Sequence, residues 1–338
     1  MPTHHTGMHG RISKRRVILV AAAGLAVLVG LFFLFQYLED TQKKPDPTGD
    51  YNTRHQYDET VERNGHTYRK KTNLTTILLL GIDDYGKSKT AVINRGGGQA
   101  DFLRLVIIDE GAKKVSQLAI DRDTMTPITI LGVLGGRAGT RTEQISLSHA
   151  FGNGKEQSCE LTREAVENLL LGSRVDYYIA MNLDFVARFN DALGGVTVTI
   201  EDDFKDPALK MGEKVTLRGS QAETFVRSRM SVGDGTNASR MRRQQQYIES
   251  ATQVFSEKLH QDESFVGALY DEMTPYTVKN ISKTRLVLAA YDAKDYARPA
   301  VYQLAGEHKT GDDGFTEFHV DEKKLEETVL QLFYDQLN

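Results

Sequence analysis

The 338-residue sequence contains no tryptophan, and its only cysteine is Cys159. A single cysteine excludes an internal disulfide framework and a cysteine-rich metal site. The formal net charge of −4 at pH 7 provides no overall basic field that would attract nucleic acid. We interpret Cys159 as a small buried hydrophobe, with a nucleophilic cysteine as the alternative.

One long apolar run lies near the N-terminus. Residues 17–35 read VILVAAAGLAVLVGLFFLF, without a charged or amide side chain. As a helix this run would span about 28 Å, close to the thickness of the hydrocarbon core of a bilayer. Basic residues precede it and Glu39 and Asp40 follow it, which favours a cytoplasmic N-terminus. No small-x-small cleavage motif follows, so we interpret the run as an uncleaved anchor rather than a signal peptide.

The apolar run divides the chain into four parts. We expect a basic cytoplasmic tail at residues 1–16, a transmembrane signal-anchor at 17–38, an extracytoplasmic stalk at 39–73 and a catalytic domain at 74–338. The stalk is polar and shows no apolar periodicity. The remaining residues are enough for one large domain or two small ones.

The fold class follows from the order of apolar and amphipathic segments. Strands are predicted at residues 76–82, 102–109, 115–120, 177–181, 196–200, 300–304 and 316–320. Helices are predicted at residues 160–171, 184–193, 240–260 and 322–337. Continuous apolar strands favour a sheet covered on both faces. Only a short Gly-Ala-Lys-Lys turn joins the second and third strands, so we predict an α/β fold with a mixed central sheet covered by helices on both faces.

A phosphate-loop motif is present but does not fit its context. Residues 81–88, GIDDYGKS, match the G-x-x-x-x-G-K-[ST] pattern of nucleotide-hydrolysing proteins. Asp83 and Asp84 lie where backbone amides should meet phosphate, and too few residues follow for a sustained helix before the glycines at 96–98. The segment is also predicted to lie outside the membrane, where nucleotide is scarce. We therefore expect no nucleotide as a partner.

The same stretch indicates a cation site. Asp83 ends one predicted strand, and Asp101 begins the next after the glycines at 96–98. If these strands are neighbours, the two carboxylates converge on one edge of the sheet. Mg²⁺ is commonly held by one or two carboxylates together with phosphate oxygens and water. The alternative is that both aspartates only form turns and caps.

Arginines cluster at the ends of predicted elements. Arg122 follows the strand at 115–120, and Arg227 and Arg229 form an R-x-R pair. On a helix that starts near residue 239, three side chains share one face, namely Arg240, Arg243 and Gln244, whereas Arg242 and Gln246 point elsewhere. Guanidinium groups bind phosphate oxygens bidentately. Structural ion pairs and a solvated charged helix face are the alternatives.

Eight short motifs in a fixed order connect these residues. They are ILLLGID at 77–83, AD at 100–101, IDRDT at 120–124, VDYY at 175–178, DALGGV at 191–196, LRG at 217–219, FVRSR at 225–229 and RMRRQQ at 240–245. With this series, the chain resembles the LytR-CpsA-Psr proteins of bacterial cell-envelope assembly from about residue 76 to its C-terminus. The resemblance implies a Mg²⁺-dependent phosphotransferase. Such an enzyme moves a glycopolymer, for example teichoic acid, capsule or another wall glycan, from a polyprenyl pyrophosphate carrier to peptidoglycan.

The resemblance also implies roles for individual residues. Asp83 and Asp101 resemble the magnesium carboxylates of the family, and Arg122 resembles its catalytic arginine. The pyrophosphate-binding and site-shaping set corresponds to Arg227, Arg229, Arg240 and Gln244. For the acceptor hydroxyl, Asp101 and Asp123 are candidate proton acceptors. An apolar groove for the lipid could include residues 169–171, Phe185 and Phe189.

The chain departs from the family pattern at two positions. Asp121 stands where the family usually has proline, and Asn237 stands where it often has aspartate. These departures keep two other functions open. One is a non-catalytic envelope regulator that binds lipid pyrophosphate, and the other is a polyprenyl pyrophosphatase that uses water as the acceptor.

Overall fold

The computed structural model describes residues 59–84, 97–132, 135–229, 232–235 and 237–338. The predicted tail and membrane anchor at 1–38 and the second half of the phosphate-loop motif lie outside these residues. In the part of the chain that is described, no helix is both long and apolar enough to cross a membrane.

The secondary structure alternates between strands and helices. The strands are β1 (Thr60–Arg63), β2 (His66–Lys70), β3 (Leu74–Ile82), β4 (Ala100–Asp109), β5 (Lys114–Ile120), β6 (Met125–Leu131), β7 (Arg137–Gln144), β8 (Tyr177–Met181), β9 (Val196–Thr199), β10 (Lys214–Leu217), β11 (Thr277–Lys279), β12 (Tyr302–Gln303), β13 (Gly306–Thr310), β14 (Thr316–Val320) and β15 (Tyr334–Gln336). The α-helices are α1 (Leu147–Ala150), α2 (Glu156–Leu169), α3 (Leu183–Ala192), α4 (Ser220–Arg227), α5 (Asn237–Gln261), α6 (Phe265–Met273), α7 (Lys283–Asp292) and α8 (Glu322–Phe333).

The central sheet has six strands in the order β11-β8-β3-β4-β5-β12. The pairs β8–β3 and β5–β12 are parallel, whereas β11–β8, β3–β4 and β4–β5 are antiparallel. The mixed sheet confirms the predicted fold class. The short turn between β4 and β5 closes an antiparallel hairpin, because Asp109 pairs with Lys114.

The two faces of the central sheet have different surroundings. Alternate residues of β3, such as Leu78 and Leu80, are fully buried in a core that includes Val166 and Leu169 of α2. The intervening residues Ile77 and Leu79 line a cavity covered by α3, α5, α6 and α7. Because successive side chains of a strand point to opposite faces of the sheet, one face packs in the core and the other lines the cavity.

A second core joins the helices near the cavity to a small hairpin. Strands β9 and β10 pair antiparallel and contribute Val196, Val198 and Leu217 to this core. Phe225 of α4 is fully buried there, with its ring stacked on Phe204 at 5.8 Å between centroids. The segment predicted as a strand at 196–200 therefore lies outside the central sheet.

The boundaries of two predicted segments need correction. We expected residues 39–73 to be a stalk, but β1 and β2 form a hairpin that pairs with β15 at the end of the chain. Tyr68 of this hairpin packs on the main core. The predicted helix at 322–337 ends at Phe333, because Tyr334 begins β15. In both cases a short polar strand is stabilised by pairing with a distant segment.

The start and end of α3 agree with the sequence signals. The Asn182 side chain accepts a hydrogen bond from Phe185 N at 3.1 Å and caps the helix. Gly194 follows with φ = 84°, a conformation that favours glycine. These signals fix the position of α3, whose aromatic side chains line the cavity.

Candidate functional site

Two cavities of about 600 Å³ each lie side by side against the central sheet. One, which we call the apolar cavity, has mostly hydrocarbon walls, and the other, the polar cavity, is lined largely by charged and amide side chains. Four residues line both cavities, namely Asp101, Phe102, Arg104 and Gln244. A ligand at this shared wall could therefore extend into either cavity.

The apolar cavity has the shape and chemistry expected for a hydrocarbon chain. Its walls come from β3, β4 and β8 of the sheet and from α3, α5, α6 and α7. Phe185 and Phe189 line it with their rings stacked at 5.3 Å between centroids, as predicted. The prediction for residues 169–171 was wrong, since all three leucines are buried in the main core and line neither cavity.

Charged groups gather at one end of the apolar cavity. We call Asp83, Asp101, Arg227, Arg240 and Gln244 the charged rim, because all five line this cavity. Arg227 Nη2 lies 3.1 Å from Asp83 Oδ1, and Arg240 Nη1 lies 3.5 Å from Asp101 Oδ2. The Asp83 and Arg227 side chains are about half exposed, at 48% and 44%, so the rim is accessible to solvent.

Strand pairing explains why Arg122 reaches this rim. In the antiparallel β4–β5 hairpin Leu103 pairs with Ile120, so the end of β5 lies beside the start of β4. Arg122 follows β5 directly and forms an ion pair with Asp101. It also donates to Gln99 Oε1 at 2.6 Å and to Asp123 Oδ1 at 3.3 Å. Three partners therefore orient the guanidinium of Arg122 in the polar cavity.

Arg122 and Arg240 both form ion pairs with Asp101. Burial lowers the pKa of Arg240, the carboxylate of Asp101 raises it, and the nearby charges of Arg122 and Arg229 lower it again. Arg229 is exposed, but its charge is close enough to affect Arg240. Several guanidinium groups that converge in this way can bind an anionic ligand with more than one charge.

The structure does not bring Arg243 to the charged rim. Its guanidinium forms an ion pair with Asp202 and donates to Phe225 O at 3.1 Å and to Ser228 O near the end of α4. These carbonyl groups at the C-terminal end of a helix attract a cation. The prediction that Arg243 binds phosphate beside Arg240 and Gln244 was therefore wrong, since Arg243 lines neither cavity.

Two side chains that we expected to point elsewhere line the polar cavity. These are Arg242 and Gln246 of α5. Helical spacing groups residues on one face correctly, since Arg240 and Gln244 share the rim. It does not show which other faces meet a cavity.

Arg104, which no sequence motif indicated, lies in the wall between the two cavities. Arg104 is 4% exposed and donates to Gln117 Oε1 at 3.0 Å and to Gln245 Oε1 at 2.8 Å. Among the described residues, no carboxylate lies within ion-pair distance of it, and its Nε has no hydrogen-bond partner. Burial lowers its pKa to about 10, although Glu249 raises it. The missed signal was an arginine inside an otherwise apolar strand.

Asp123 is buried behind Arg122. Its Oδ1 accepts hydrogen bonds from Arg122 Nε and Gln144 Nε2, each at 3.3 Å. Burial raises the pKa of Asp123, the neighbouring Asp121 raises it further, and Arg122 lowers it. Both aspartates predicted as proton acceptors are thus already in contact with Arg122.

The charged rim contains two carboxylates, those of Asp83 and Asp101. Asp83 and Asp101 are brought close by the β3–β4 pairing, in which Ile82 lies opposite Ala100. Within the described ranges, no group of three or more histidine, cysteine, aspartate or glutamate side chains could hold a metal ion. A pair of carboxylates suits Mg²⁺, which completes its octahedral shell with water and phosphate oxygens.

Cys159 has no place in this site. It is fully buried in the main core, and burial raises the pKa of its thiol well above the usual range. A protonated thiol in the core is a poor nucleophile. The interpretation of Cys159 as a small buried hydrophobe is confirmed.

Comparison with known proteins decides the family. The profile of the LytR_cpsA_psr family matches residues 34–333. The chain belongs to the LytR_cpsA_psr family. Its membership confirms the resemblance that the eight short motifs indicated, and the match extends over the whole described structure except its last residues.

Individual relatives in the family are distant. The chain is 30% identical over 175 residues to the polyisoprenyl-teichoic acid–peptidoglycan teichoic acid transferase TagU of Bacillus licheniformis, covering 52% of this chain and 50% of that protein. It is 27% identical over 193 residues to TagU of Bacillus subtilis, covering 57% and 56%. The chain thus spans about half the length of the curated relatives it matches. The crystal structure of gbs0355 from Streptococcus agalactiae has the same fold, with a TM-score of 0.61, 22% identity and coverage of 79% and 91%.

Proposed function

We propose that this protein transfers a glycopolymer from a polyprenyl pyrophosphate carrier to peptidoglycan and leaves a phosphodiester link. The observation that carries the proposal is the apolar cavity with arginines and aspartates at one end. A lipid-linked pyrophosphate has two matching parts, a hydrocarbon chain and a dianionic head. The names of the TagU relatives support this class of reaction.

The proposed substrate would lie with its head at the charged rim. The prenyl chain would fill the apolar cavity between the sheet and α5, where each buried methylene contributes about 0.8 kcal/mol. Arg227 and Arg240 would bind the pyrophosphate, and Arg122 would face the phosphorus next to the glycan. Gln244 lines both cavities and could donate to a pyrophosphate oxygen.

Mg²⁺ is proposed as the cofactor, with Asp83 and Asp101 as its protein ligands. Bound there, it would neutralise charge on the pyrophosphate oxygens. The ion pair of Asp83 with Arg227 would then loosen and free that guanidinium for the phosphates, while Arg122 would keep the three partners that orient it. Asp83 and Asp101 would thus pair with arginines in the ligand-free site and would bind the metal ion in the ligand-bound site.

The proposed reaction is an attack of a peptidoglycan sugar hydroxyl on the phosphorus next to the glycan. Polyprenyl phosphate leaves, and negative charge grows on the bridging and leaving oxygens. Fixed guanidinium groups stabilise this charge without reorganisation, which is the usual means of catalysis in phosphoryl transfer. The orientation of Arg122 by three partners suits this task.

The location of the reaction is also proposed. The signal-anchor at 17–38 would hold the chain in the membrane with its N-terminus in the cytoplasm and place the domain outside the membrane. The lipid-linked substrate and the peptidoglycan acceptor would then be on the same side as the site.

A transfer assay tests the proposed function. The full-length protein is incubated with Mg²⁺, a radiolabelled polyprenyl-pyrophosphate-linked glycopolymer and purified peptidoglycan. We expect label to become covalently attached to the peptidoglycan. Binding without transfer would instead support an envelope regulator, and release of label without peptidoglycan would support a pyrophosphatase. Either result would overturn the proposal.

Replacing Arg104 with methionine should stabilise the protein and weaken its site. Removing a buried charge that has no carboxylate partner should raise the free energy of unfolding by about 1 kcal/mol or more. The loss of positive charge at the wall shared by both cavities should weaken the binding of a prenyl diphosphate about tenfold. Thermal unfolding and a binding titration measure the two effects.

The control for this prediction is Arg137→Met. Arg137 lies on β7, is half exposed, and pairs with Glu164 at 2.7 Å. This change should leave prenyl diphosphate binding unaltered. Lower stability of Arg104→Met with unchanged binding would show that Arg104 only supports the fold.

A further inference from the structure

The polar cavity contains an imidazole that is held by a buried carboxylate. His308 of β13 is about half exposed and lines this cavity together with Asp121 and Arg122. Its Nε2 lies 3.0 Å from Asp121 Oδ2. Asp121 is only 9% exposed, and its other oxygen accepts from Asp123 N at 2.9 Å. The carboxylate therefore has a fixed position from which it can orient the ring.

The contact with Asp121 determines which nitrogen of His308 can accept a proton. A carboxylate only accepts hydrogen bonds, so Nε2 carries the hydrogen and the lone pair of the neutral ring is on Nδ1. Within the described residues, no hydrogen bond occupies Nδ1. The ring of Phe318 lies against the imidazole at 4.8 Å between centroids and limits its rotation. His308 thus presents one basic nitrogen in a restricted orientation.

The hairpin that carries His308 is tied to the segment that carries Arg122. Phe318 N donates to Asp123 O at 2.7 Å, and Gln144 Nε2 donates to Thr316 O at 2.6 Å. These bonds hold the β13–β14 hairpin independently of the Asp121–His308 contact. A purely structural role of that contact would therefore be small, while the ties keep His308 beside the arginine.

We propose that His308, oriented by Asp121, accepts the proton of the acceptor hydroxyl, and that the polar cavity binds the acceptor sugar. This inference rests on the proposed transfer function. The acceptor oxygen forms a bond to the phosphorus next to the glycan while its proton passes to Nδ1 of His308. The bond from that phosphorus to the bridging oxygen breaks, and polyprenyl phosphate leaves with the electron pair. Asp121 stabilises the imidazolium, which then returns its proton to solvent.

The contacts of the three candidate proton acceptors favour His308. Asp101 and Asp123, the alternatives as proton acceptor, both contact the guanidinium of Arg122. Protonation of either carboxylate would weaken its ion pair with Arg122, and Asp101 is also a proposed metal ligand. His308 contacts a carboxylate instead of a guanidinium, and that carboxylate would stabilise the imidazolium formed by proton transfer.

Two substitutions at His308 separate catalysis from structure. His308→Ala should lower kcat for transfer by about 10²- to 10⁴-fold, with little change in the KM for the lipid-linked substrate. His308→Gln should lose activity to a similar extent, although its amide can still donate to Asp121. If the contact only ties the hairpin, His308→Gln should keep wild-type activity.

The matched control is His319→Ala. His319 lies on β14 of the same hairpin and has its own carboxylate partner, Glu317, at 2.7 Å, but it does not line either cavity. Its loss should change kcat less than twofold. Free imidazole should restore part of the activity of His308→Ala and should have no effect on His319→Ala.

The outcomes distinguish failure of this inference from failure of the proposed function. The assay uses the full-length protein with a synthetic prenyl-diphosphate-linked disaccharide and purified peptidoglycan. If the wild-type protein transfers sugar and both His308 variants do so at the wild-type rate, His308 is not the proton acceptor. If the wild-type protein transfers nothing, the proposed function itself is wrong.

Discussion

Replacing Arg122 with alanine should lower glycopolymer transfer by about 10³-fold or more, a loss typical of an arginine that stabilises the transition state in phosphoryl transfer. Arg122 is oriented by Gln99, Asp101 and Asp123, so its guanidinium needs little reorganisation when charge develops. Binding of the lipid substrate should fall much less, because other arginines of the charged rim remain. Rates of label transfer and a binding titration measure the two effects.

Lysine at position 122 provides a second test. It keeps the charge but loses the planar fork, so we expect it to restore only a small part of the rate. Arg137→Ala is the control, since it removes an arginine ion pair at the surface that lines neither cavity. Transfer by Arg122→Ala within tenfold of the wild-type rate would remove Arg122 from the proposed mechanism.

Filling the apolar cavity should abolish most lipid binding without loss of the fold. Thr252 lies on α5 and lines this cavity. In Thr252→Trp the indole would occupy space that the prenyl chain needs. Displacing about four methylene groups costs about 3 kcal/mol, or roughly 10²-fold in affinity. Titration with a prenyl diphosphate measures the loss, and thermal unfolding shows that the variant is folded.

The neighbouring residue offers a matched control. Gln253 is exposed on the same helix, bonds to Glu257 at 3.1 Å and does not line the cavity. Gln253→Trp should bind prenyl diphosphate like the wild-type protein. Equal binding by both tryptophan variants would show that the chain of the ligand does not enter this cavity.

The sequence predicted the centre of the fold because the central strands are apolar and nearly continuous. Strands β3, β4, β5 and β8 were found within a few residues of their observed ends. The exposed strands β7 and β13 were not predicted, because their residues show no apolar pattern. In β7 most side chains are exposed, and in β13 all five are. Such strands depend on pairing with a partner strand rather than on burial.

The sequence likewise predicts only part of the candidate site. Asp83, Asp101 and Arg122 could be found because each stands at the end of an apolar strand. The pairing of His308 with Asp121 joins residues 187 positions apart, and nothing local in the sequence indicates it. The sequence analysis treated Asp121 only as a departure from the family pattern, whereas the structure gives its carboxylate a partner in the polar cavity.

Arg104 and Arg243 show that the sequence alone does not predict where a buried arginine finds its partners. Arg243 lies in a motif of the family, but carbonyl groups of α4 and Asp202 use its donors. Arg104 lies in an apolar strand and was read as part of the core pattern, yet it faces both cavities. The partners of a long side chain depend on tertiary packing, which helical or strand spacing alone does not give.

The central claim is that one site binds a prenyl chain in the apolar cavity and a diphosphate at the charged rim. Because the chain has no tryptophan, Phe185→Trp in the cavity wall would provide a single fluorescent probe there. With a short-chain prenyl diphosphate and Mg²⁺ we predict a saturable shift of its emission, with affinity at least tenfold higher than for the corresponding monophosphate, while Gln253→Trp does not respond. Equal affinity for the diphosphate, the monophosphate and the uncharged prenyl alcohol, or no shift at all, would contradict the account.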